Sequence, residues 1–316
     1  MDGYVREAGG GLYRLPPLQE WKLCYTAGTP CDSFSVVCGY GPDMARHLKG
    51  AAGFQAADGT GIVFTGVVDE VEVTWDGDGR RTALHGRGMA ALLLDNEAEP
   101  EEYGTATLDD ILERHVLPYG IQVGERAALP GVPGFAVASG SSQWQVLYQF
   151  ARYYGGVTPR FDRQGRLLLT GWPEGPRRVL DDSAPVTAAL WREKRYGVLS
   201  EVLVRSRNSR QRQRVVNQEF LDQGGQCRRV LTTPNQTGYQ AMRYSGQFQL
   251  DRSQAEWRRL EVTVASLFWG WPGELVEAAL ERYGLTGTWR ILEAEVSLGE
   301  AGGQTRLTLG ELDAVI

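Results

Sequence analysis

The sequence predicts an α+β protein, mainly β, in which two related β domains flank a small α/β module. Three observations point there. In "VDEVEVTW", Val71, Val73 and Trp75 alternate with Glu70, Glu72 and Thr74, the period of a strand with one buried face. A segment near the end repeats this grammar: "EVEVTWDGDGRRTALHG", Glu70 to Gly86, lies over "EAEVSLGEAGGQTRLTLG", Glu293 to Gly310, with one extra residue assigned to the second turn. Between them, "TLDDILERHVL" and "SSQWQVLYQFA" carry the spacing and caps of amphipathic helices.

Composition bounds the reading. At ~150 residues per domain, 316 residues suggest about two domains. A hydrophobic fraction of 42% with 23% charged residues is that of a soluble globular chain. The net charge of -6 disfavours a dedicated nucleic-acid binder. "MDGYVREAGGGLYRLPP" lacks the apolar core of a signal peptide, and no run approaches the ~18 apolar residues of a membrane span, so a cytoplasmic protein without a membrane anchor is expected. Cys24, Cys31 and Cys38 are seven apart, and with Cys227 they lack the close pairing of a zinc site; reduced cysteines in or near strands and no metal are expected. The 40 glycines collect in short turns, as in a β-rich chain.

In the first domain, "SFSVVCGY" and "GIVFTGVVDEVEVTW" are strands, and "DGDG", Asp76 to Gly79, turns the chain back along "RRTALHG". Gly86, Gly88 and Ala91 then fit the G-x-G-x-x-A pattern of a dinucleotide loop. The context favours a tight turn into a helix from about Met89 to Leu94. "DNEAEPEEYG" places four Glu and one Asp within ten residues, which repels phosphate, and the next periodic segment is helical where a second strand would be needed. No cofactor is expected. Asp95 to Glu102 reads as a solvated linker at a domain boundary.

In the module, Thr107 with Asp110 caps a helix whose apolar stripe is Leu108, Ile111 and Leu112. Ser142 with Gln145 caps a second, with Trp144, Leu147, Tyr148 and Ala151 on one face. "RFDRQGRLLLTG" turns at Gln164 and Gly165, and His115 reads as structural. Strands resume from Arg177. "SFSVVCGYGPDMARHL" and "EVTVASLFWGWPGELVEAAL" each run from a strand through a Gly-Pro turn, which extends the internal repeat upstream. In "VRSRNSRQRQRVV", Arg205 and Arg207, then Arg210, Arg212 and Arg214, stand at strand spacing. They are either a solvated strand pair or guanidiniums that meet carboxylates of a neighbouring subunit or part of a nucleic-acid path.

These stretches together resemble the baseplate hub proteins of contractile phage tails and related contractile injection particles, the late control protein D group. The resemblance rests on "VFTGVVDEVEVTW" leading to "ALHGRGMAALLLDNEA", then "TLDDILERHVLPYGI", "GSSQWQVLYQFARYYGGVTPRFDRQGRLLLTG" and "WRILEAEVSLGEAGGQTRLTLGEL", spread from about residue 20 to 310. Each is a structural signature and none is a catalytic motif. The resemblance implies a first tube-like β-barrel domain in 1–102, the α/β module in 103–176, and a second tube-like β-barrel domain in 177–316 with an inserted segment around 211–254. It implies a homotrimer that joins a hexameric tail tube to a trimeric central spike. Tail tube, spike, tape-measure and baseplate wedge proteins would be its partners, and DNA only a transient cargo. It would assemble in the host bacterial cytoplasm and end in the baseplate. Candidate subunit contacts are Arg205, Arg207, Arg210, Arg212, Arg214, Trp269 and Trp271.

Two other classes compete. A cell-wall-degrading enzyme would need two acids facing each other across a sugar at about 5 to 10 Å, whereas Asp109 and Asp110, or Glu101 and Glu102, are adjacent and diverge. No G-x-S-x-G, H-E-x-x-H or P-loop occurs, and a non-enzyme is expected. A glycan-binding β module would use stacked indoles, but the nine Trp are spread over the chain, with "LFWGWPG" as one local cluster.

Overall fold

The computed structural model describes residues 1–27, 31–77, 79–172, 178–207, 210–233, 239–255 and 257–312. Asp78 of the first hairpin turn, the 176/177 boundary, and Asn208 and Ser209 of the arginine-rich segment lie outside them. The chain opens with β1 (Asp2–Glu7), β2 (Leu12–Arg14), β3 (Leu18–Thr26), β4 (Ser33–Gly39), α1 (Met44–Lys49), β5 (Ala51–Ala57), β6 (Ile62–Asp76) and β7 (Gly79–Gly88). It continues through α2 (Ala91–Leu94) into β8 (Glu101–Glu102), β9 (Thr105–Ala106), α3 (Leu108–His115), β10 (Val123–Arg126), β11 (Val132–Pro133), β12 (Ala136–Val137), α4 (Gln143–Tyr148), β13 (Arg160–Phe161) and β14 (Leu167–Leu169). After β15 (Arg178–Asp181) and β16 (Val186–Glu193) comes an excursion of β17 (Glu201–Ser206), β18 (Arg212–Val216), α5 (Gln218–Asp222), β19 (Arg228–Thr233) and α6 (Tyr239–Gln254). β20 (Arg258–Val264), β21 (Leu275–Leu280), β22 (Leu285–Gly299) and β23 (Gly302–Gly310) follow.

One sheet of 13 strands runs through both β regions in the order β16-β20-β23-β22-β3-β4-β7-β6-β5-β1-β2, with β21 on β22 and β15 on β21. Where two tube-like barrels were expected, the described strands form a single open sheet. The join is antiparallel pairing of β22 with β3, Glu293 opposite Thr26 through Leu298 opposite Trp21. A common core follows from it: Leu23, Phe34, Val36 and Leu84 are buried in one cluster with Leu260, Val262, Val296 and Leu307.

A five-strand order occurs twice in this sheet, as β3-β4-β7-β6-β5 and as β16-β20-β23-β22-β21. The bulges coincide as well. β6 shifts register between Val68 and Glu70 and β22 between Ile291 and Glu293; β3 shifts between Leu18 and Glu20 and β16 between Val186 and Ala188. Such bulges twist a strand and are properties of a fold rather than accidents of sequence. Thr82 and Thr305, both fully buried, occupy the same place in the two copies. Asp76 pairs with Gly79 and Gly299 with Gly302, so both hairpins close over two residues. The extra residue assigned to the second turn is therefore not there: Gly86 corresponds to Leu309, and Gly310 to Arg87.

The glycines that suggested a phosphate loop lie inside β7. A Cβ on Gly86 would come 2.0 Å from the Val67 carbonyl and 2.5 Å from Phe34, so this glycine lets β6 and the Phe34 ring approach the strand. In the module, both capping boxes form, Thr107 with Asp110 and Ser142 with Gln145. α4 runs on as a π-helical turn, Gln149–Tyr154. Leu108, Ile111, Leu112, Trp144, Leu147 and Ala151 share one core. His115 is buried between the Tyr103 hydroxyl at 3.0 Å and Gln143 Oε1 at 2.7 Å, a structural role. The excursion is a small sheet, β18-β17-β19, on which α6 packs through Met242 and Leu250 against Val202 and Val204. It begins before the expected residue 211, because β17 pairs with β18 and β19 and not with the large sheet.

Asp32 ties β3 to β7. Its carboxylate accepts from the Thr26 amide at 2.9 Å and its carbonyl accepts from the Gly88 amide at 2.8 Å. Burial pushes the carboxyl up to about 7. Folding thus disfavours the ionised form: the contribution is intact below the unfolded value of about 3.9 and is lost as pH rises toward the folded value. Asp32→Asn keeps an acceptor for Thr26 without ionising. Its melting temperature relative to the parent should climb between about pH 4 and about pH 7; a difference that stays constant over this range would contradict the assignment.

Candidate subunit interface

The arginine-rich segment divides. Arg205 of β17 lies opposite Arg212 of β18, both exposed, and together with Arg207 and Arg210 they line an open cavity of about 810 Å³ with Ser206 and Thr232. Arg205 Nε donates to Thr232 Oγ1 at 3.0 Å. Arg214, at the other end of β18, donates from Nε and Nη2 to Glu201 Oε2 at 2.8 and 2.5 Å, and Arg228 holds the other oxygen of the same carboxylate. That carboxylate is 8% exposed, so Arg214 and Arg228 neutralise a buried charge within the chain. Of the five arginines expected as one contact set, four gather at one site and Arg214 is committed elsewhere.

Trp269 and Trp271 lie in the loop between β20 and β21 and are half-buried. Trp21 of β3 stacks on Trp269 with centroids 5.9 Å apart, and Trp269 on Trp271 at 6.1 Å. The Arg163 guanidinium sits 3.2 Å from the Trp271 ring centroid, with that of Arg178 at 5.3 Å. This ladder fastens the second β region to β3 and to the β13–β14 hairpin. Both indoles proposed as subunit contacts thus have their partners inside the chain, and "LFWGWPG" presents no flat stacking platform.

Beside the ladder opens a cleft of about 1610 Å³, lined by residues of β3, the β13–β14 hairpin, α6 and the Trp271 loop. Two of its acids are held in ion pairs, Asp162 with Arg166 at 2.7 Å and Glu274 with Arg178 at 2.8 Å, and Asp32, Glu125 and Glu293 also line it. Three of the four adjacent acids considered for glycoside hydrolysis are engaged too. Asp110 caps α3 and Asp109 meets Arg126 at 2.5 Å, while Arg114 holds Glu101. Hydrogen bonds from the Thr107 hydroxyl and from Arg114 keep the Asp110 and Glu101 carboxyls below their ordinary values, the wrong direction for a general acid.

Exposed aromatic and aliphatic residues lie on the strand edges as well. Trp75 at the end of β6 is 64% exposed, and Leu190 and Trp191 of β16 are 46% and 49% exposed. The alternation Val71, Val73, Trp75 had placed Trp75 on a buried face; the hairpin instead projects past the core, leaving Val71 and Val73 half-buried and Trp75 in the open. Large apolar residues so placed mark contact surfaces more often than they occur by chance.

No protein-family model matches this chain, and no curated protein matches it. Among solved structures, the chain is similar to the 43 kDa tail protein of prophage MuSo2 from Shewanella oneidensis, at 20% identity with a TM-score of 0.73, covering 100% of this chain and 99% of that one. It is similar to the tail protein from Neisseria meningitidis MC58, at 21% identity with a TM-score of 0.76, over 99% and 98%. An E. coli component of the type VI secretion system, described as structurally similar to T4 bacteriophage tail proteins gp27 and gp5, matches at 11% identity with a TM-score of 0.59, over 93% and 74%. At these identities the shared property is the fold: the chain has the fold of phage tail proteins.

Indoles locked inside the chain and indoles left on its surface should differ in what they stabilise. In urea denaturation of the isolated chain, Trp271→Ala should cost about 3 kcal/mol, and Trp75→Ala or Trp191→Ala should stay within about 0.5 kcal/mol of the parent. The reverse ranking would contradict the placement of the ladder.

Proposed function

We propose that this chain is the structural hub of a contractile tail or injection-particle baseplate, in which three copies form a ring between a hexameric tail tube and a trimeric central spike. The observation that carries this reading is the internal repeat. Two copies of one strand order per chain, with matching bulges, let three chains present six near-equivalent units to a hexamer and three identical ones to a trimer. The likeness of the whole chain to two phage tail proteins over nearly their whole length supports the same class.

On this reading the division into 1–102, 103–176 and 177–316 corresponds to a tube-forming repeat, a peripheral module and a second repeat, and closure into a tube comes with assembly. The four clustered arginines, Arg205, Arg207, Arg210 and Arg212, are a second contact, fitted to an acidic surface of a neighbour. Tube, spike, tape-measure and wedge proteins are the partners, and the particle's baseplate is the destination. Of the adjacent acids weighed for sugar chemistry, Asp110 caps a helix and Asp109 and Glu101 pair with arginines, which favours a scaffold over a hydrolase.

Native mass measurement of the chain co-expressed with its spike tests this. Three hub copies, three times the 34.9 kDa chain mass, are expected per spike; any other stoichiometry overturns the proposal.

A further inference from the structure

The internal repeat also says which edges meet. Inside the chain, the outer half of β22 is paired with β3: Glu293 opposite Thr26, Glu295 opposite Cys24, Val296 opposite Leu23, Ser297 opposite Lys22, Leu298 opposite Trp21. A 2.6 Å ion pair, Lys22 Nζ to Glu295 Oε2, bridges the two strands, and Trp21 is buried. The repeat maps β22 onto β6, with Glu293 on Glu70 directly after the shared bulge. It maps β3 onto β16, with Glu20 on Ala188 directly after theirs. The strands equivalent to the two sides of the joint therefore exist a second time, at opposite ends of the tandem, where they cannot reach each other within one chain.

Both edges are open. Among the described residues, β5 covers β6 only over Ile62 to Val67, and no strand pairs with that edge from Glu70 to Asp76; β16 pairs with β20 alone. These are the edges that carry Trp75, Leu190 and Trp191. Unpaired edges of this length invite strand addition.

We infer that β6 of one copy pairs antiparallel with β16 of the next in the register of the internal joint. Glu70 then stands opposite Lys194, Glu72 opposite Arg192, Val73 opposite Trp191, Thr74 opposite Leu190 and Trp75 opposite Ala189. The charges of Glu70 and Glu72 agree with this register and were not used to set it, while Val71 falls opposite Glu193. Two acids on one face of β6 meet Arg192 of β16 and Lys194 just past its end, a pairing of opposite signs like the one Glu295 and Lys22 make diagonally across the internal joint. Arg192, 3.6 Å from Glu261 on its own sheet, gains a second carboxylate. The internal pair sets Leu298 against Trp21, and the external pair sets Trp75 against Ala189, an indole across from an aliphatic side chain each time. Edges at opposite ends of the chain make a head-to-tail contact, which closes into a ring when the rotation per copy is a whole fraction of a turn. The inference rests on the ring proposed above and fixes its strand register.

Engineered thiols read the register. Directly opposed Cα atoms lie about 4.5–5.5 Å apart, within disulfide reach, whereas a two-residue offset places them beyond about 7 Å. Burial raises the Cys24 thiol and pushes those of Cys31 and Cys38 up to about 12 and about 11, and Cys227 is the exposed native thiol, so Cys227→Ser supplies a quiet background. In the hub–spike complex, Thr74→Cys with Leu190→Cys should oxidise to covalent trimers, and Thr74→Cys with Arg192→Cys should not. Glu72→Lys should weaken trimerisation about tenfold, and adding Arg192→Glu should restore it. Efficient cross-linking of the offset pair, or a double charge reversal no better than the single one, overturns the register while a trimeric mass leaves the ring standing. A hub that stays monomeric on its spike overturns both.

Discussion

The pairing of β22 with β3 is the constraint on which the rest of the molecule depends. β22 is long enough to serve two partners along one edge: residues Leu285 to Arg290 pair with β21, and Glu293 to Leu298 pair with β3. The bulge between Ile291 and Glu293 falls where the strand changes partner, and the added twist of a bulge turns the strand from one neighbour to the other. Through this joint two β regions with a module between them become one sheet over one core. The Trp21–Trp269–Trp271 ladder and the Lys22–Glu295 ion pair brace it from either side. β6 is built the same way, with its bulge where β5 ends, but among the described residues no strand pairs with the edge of its outer half. A fold that satisfies one such edge internally and leaves its twin open is suited to assembly.

Electrostatics follow the same division of labour. Carboxylates that a catalytic reading would enlist serve as helix caps or as partners of arginine: Asp110 at α3, Glu101 under Arg114, Glu274 between Arg163 and Arg178, Glu201 between Arg214 and Arg228. Glu70 and Glu72 lie on one open edge, Arg192 and Lys194 on the other, and four arginines cluster at the tip of the small sheet. Opposite charge on opposite edges gives an association its direction and register, and only modest affinity.

Much of this was legible in the sequence, and what was missed has identifiable causes. The hairpins of β6–β7 and β22–β23 announce themselves through period-two alternation around glycine turns, and the caps at Thr107 and Ser142 through side chains that reach backbone amides three residues on. These are local signals. The equivalence of β3 with β16 is not local: "LQEWKLCYT" and "VTAALWRE" share almost no letters, and only the sheet register and the common bulge relate them. The excursion from β17 to α6 separates β16 from β20, which hid the repeat further. Trp269 and Trp271 looked like external anchors because their partner, Trp21, lies far away in sequence, and Trp75 looked like core because alternation cannot say where a hairpin outruns the core beneath it. The glycines of β7 fit a nucleotide fingerprint because a close backbone neighbour asks the same of a residue whether it is a phosphate or another strand.

The central claim is that an internal strand joint is copied between subunits. An electron cryo-microscopy reconstruction of the hub on its spike, at a resolution that separates strands, tests it most directly. The account predicts three copies around the axis with β6 of each paired to β16 of the next, so that the sheet runs unbroken through every subunit boundary. A ring in which Glu70 to Asp76 and Val186 to Glu193 face solvent, or meet any other strand, would contradict it.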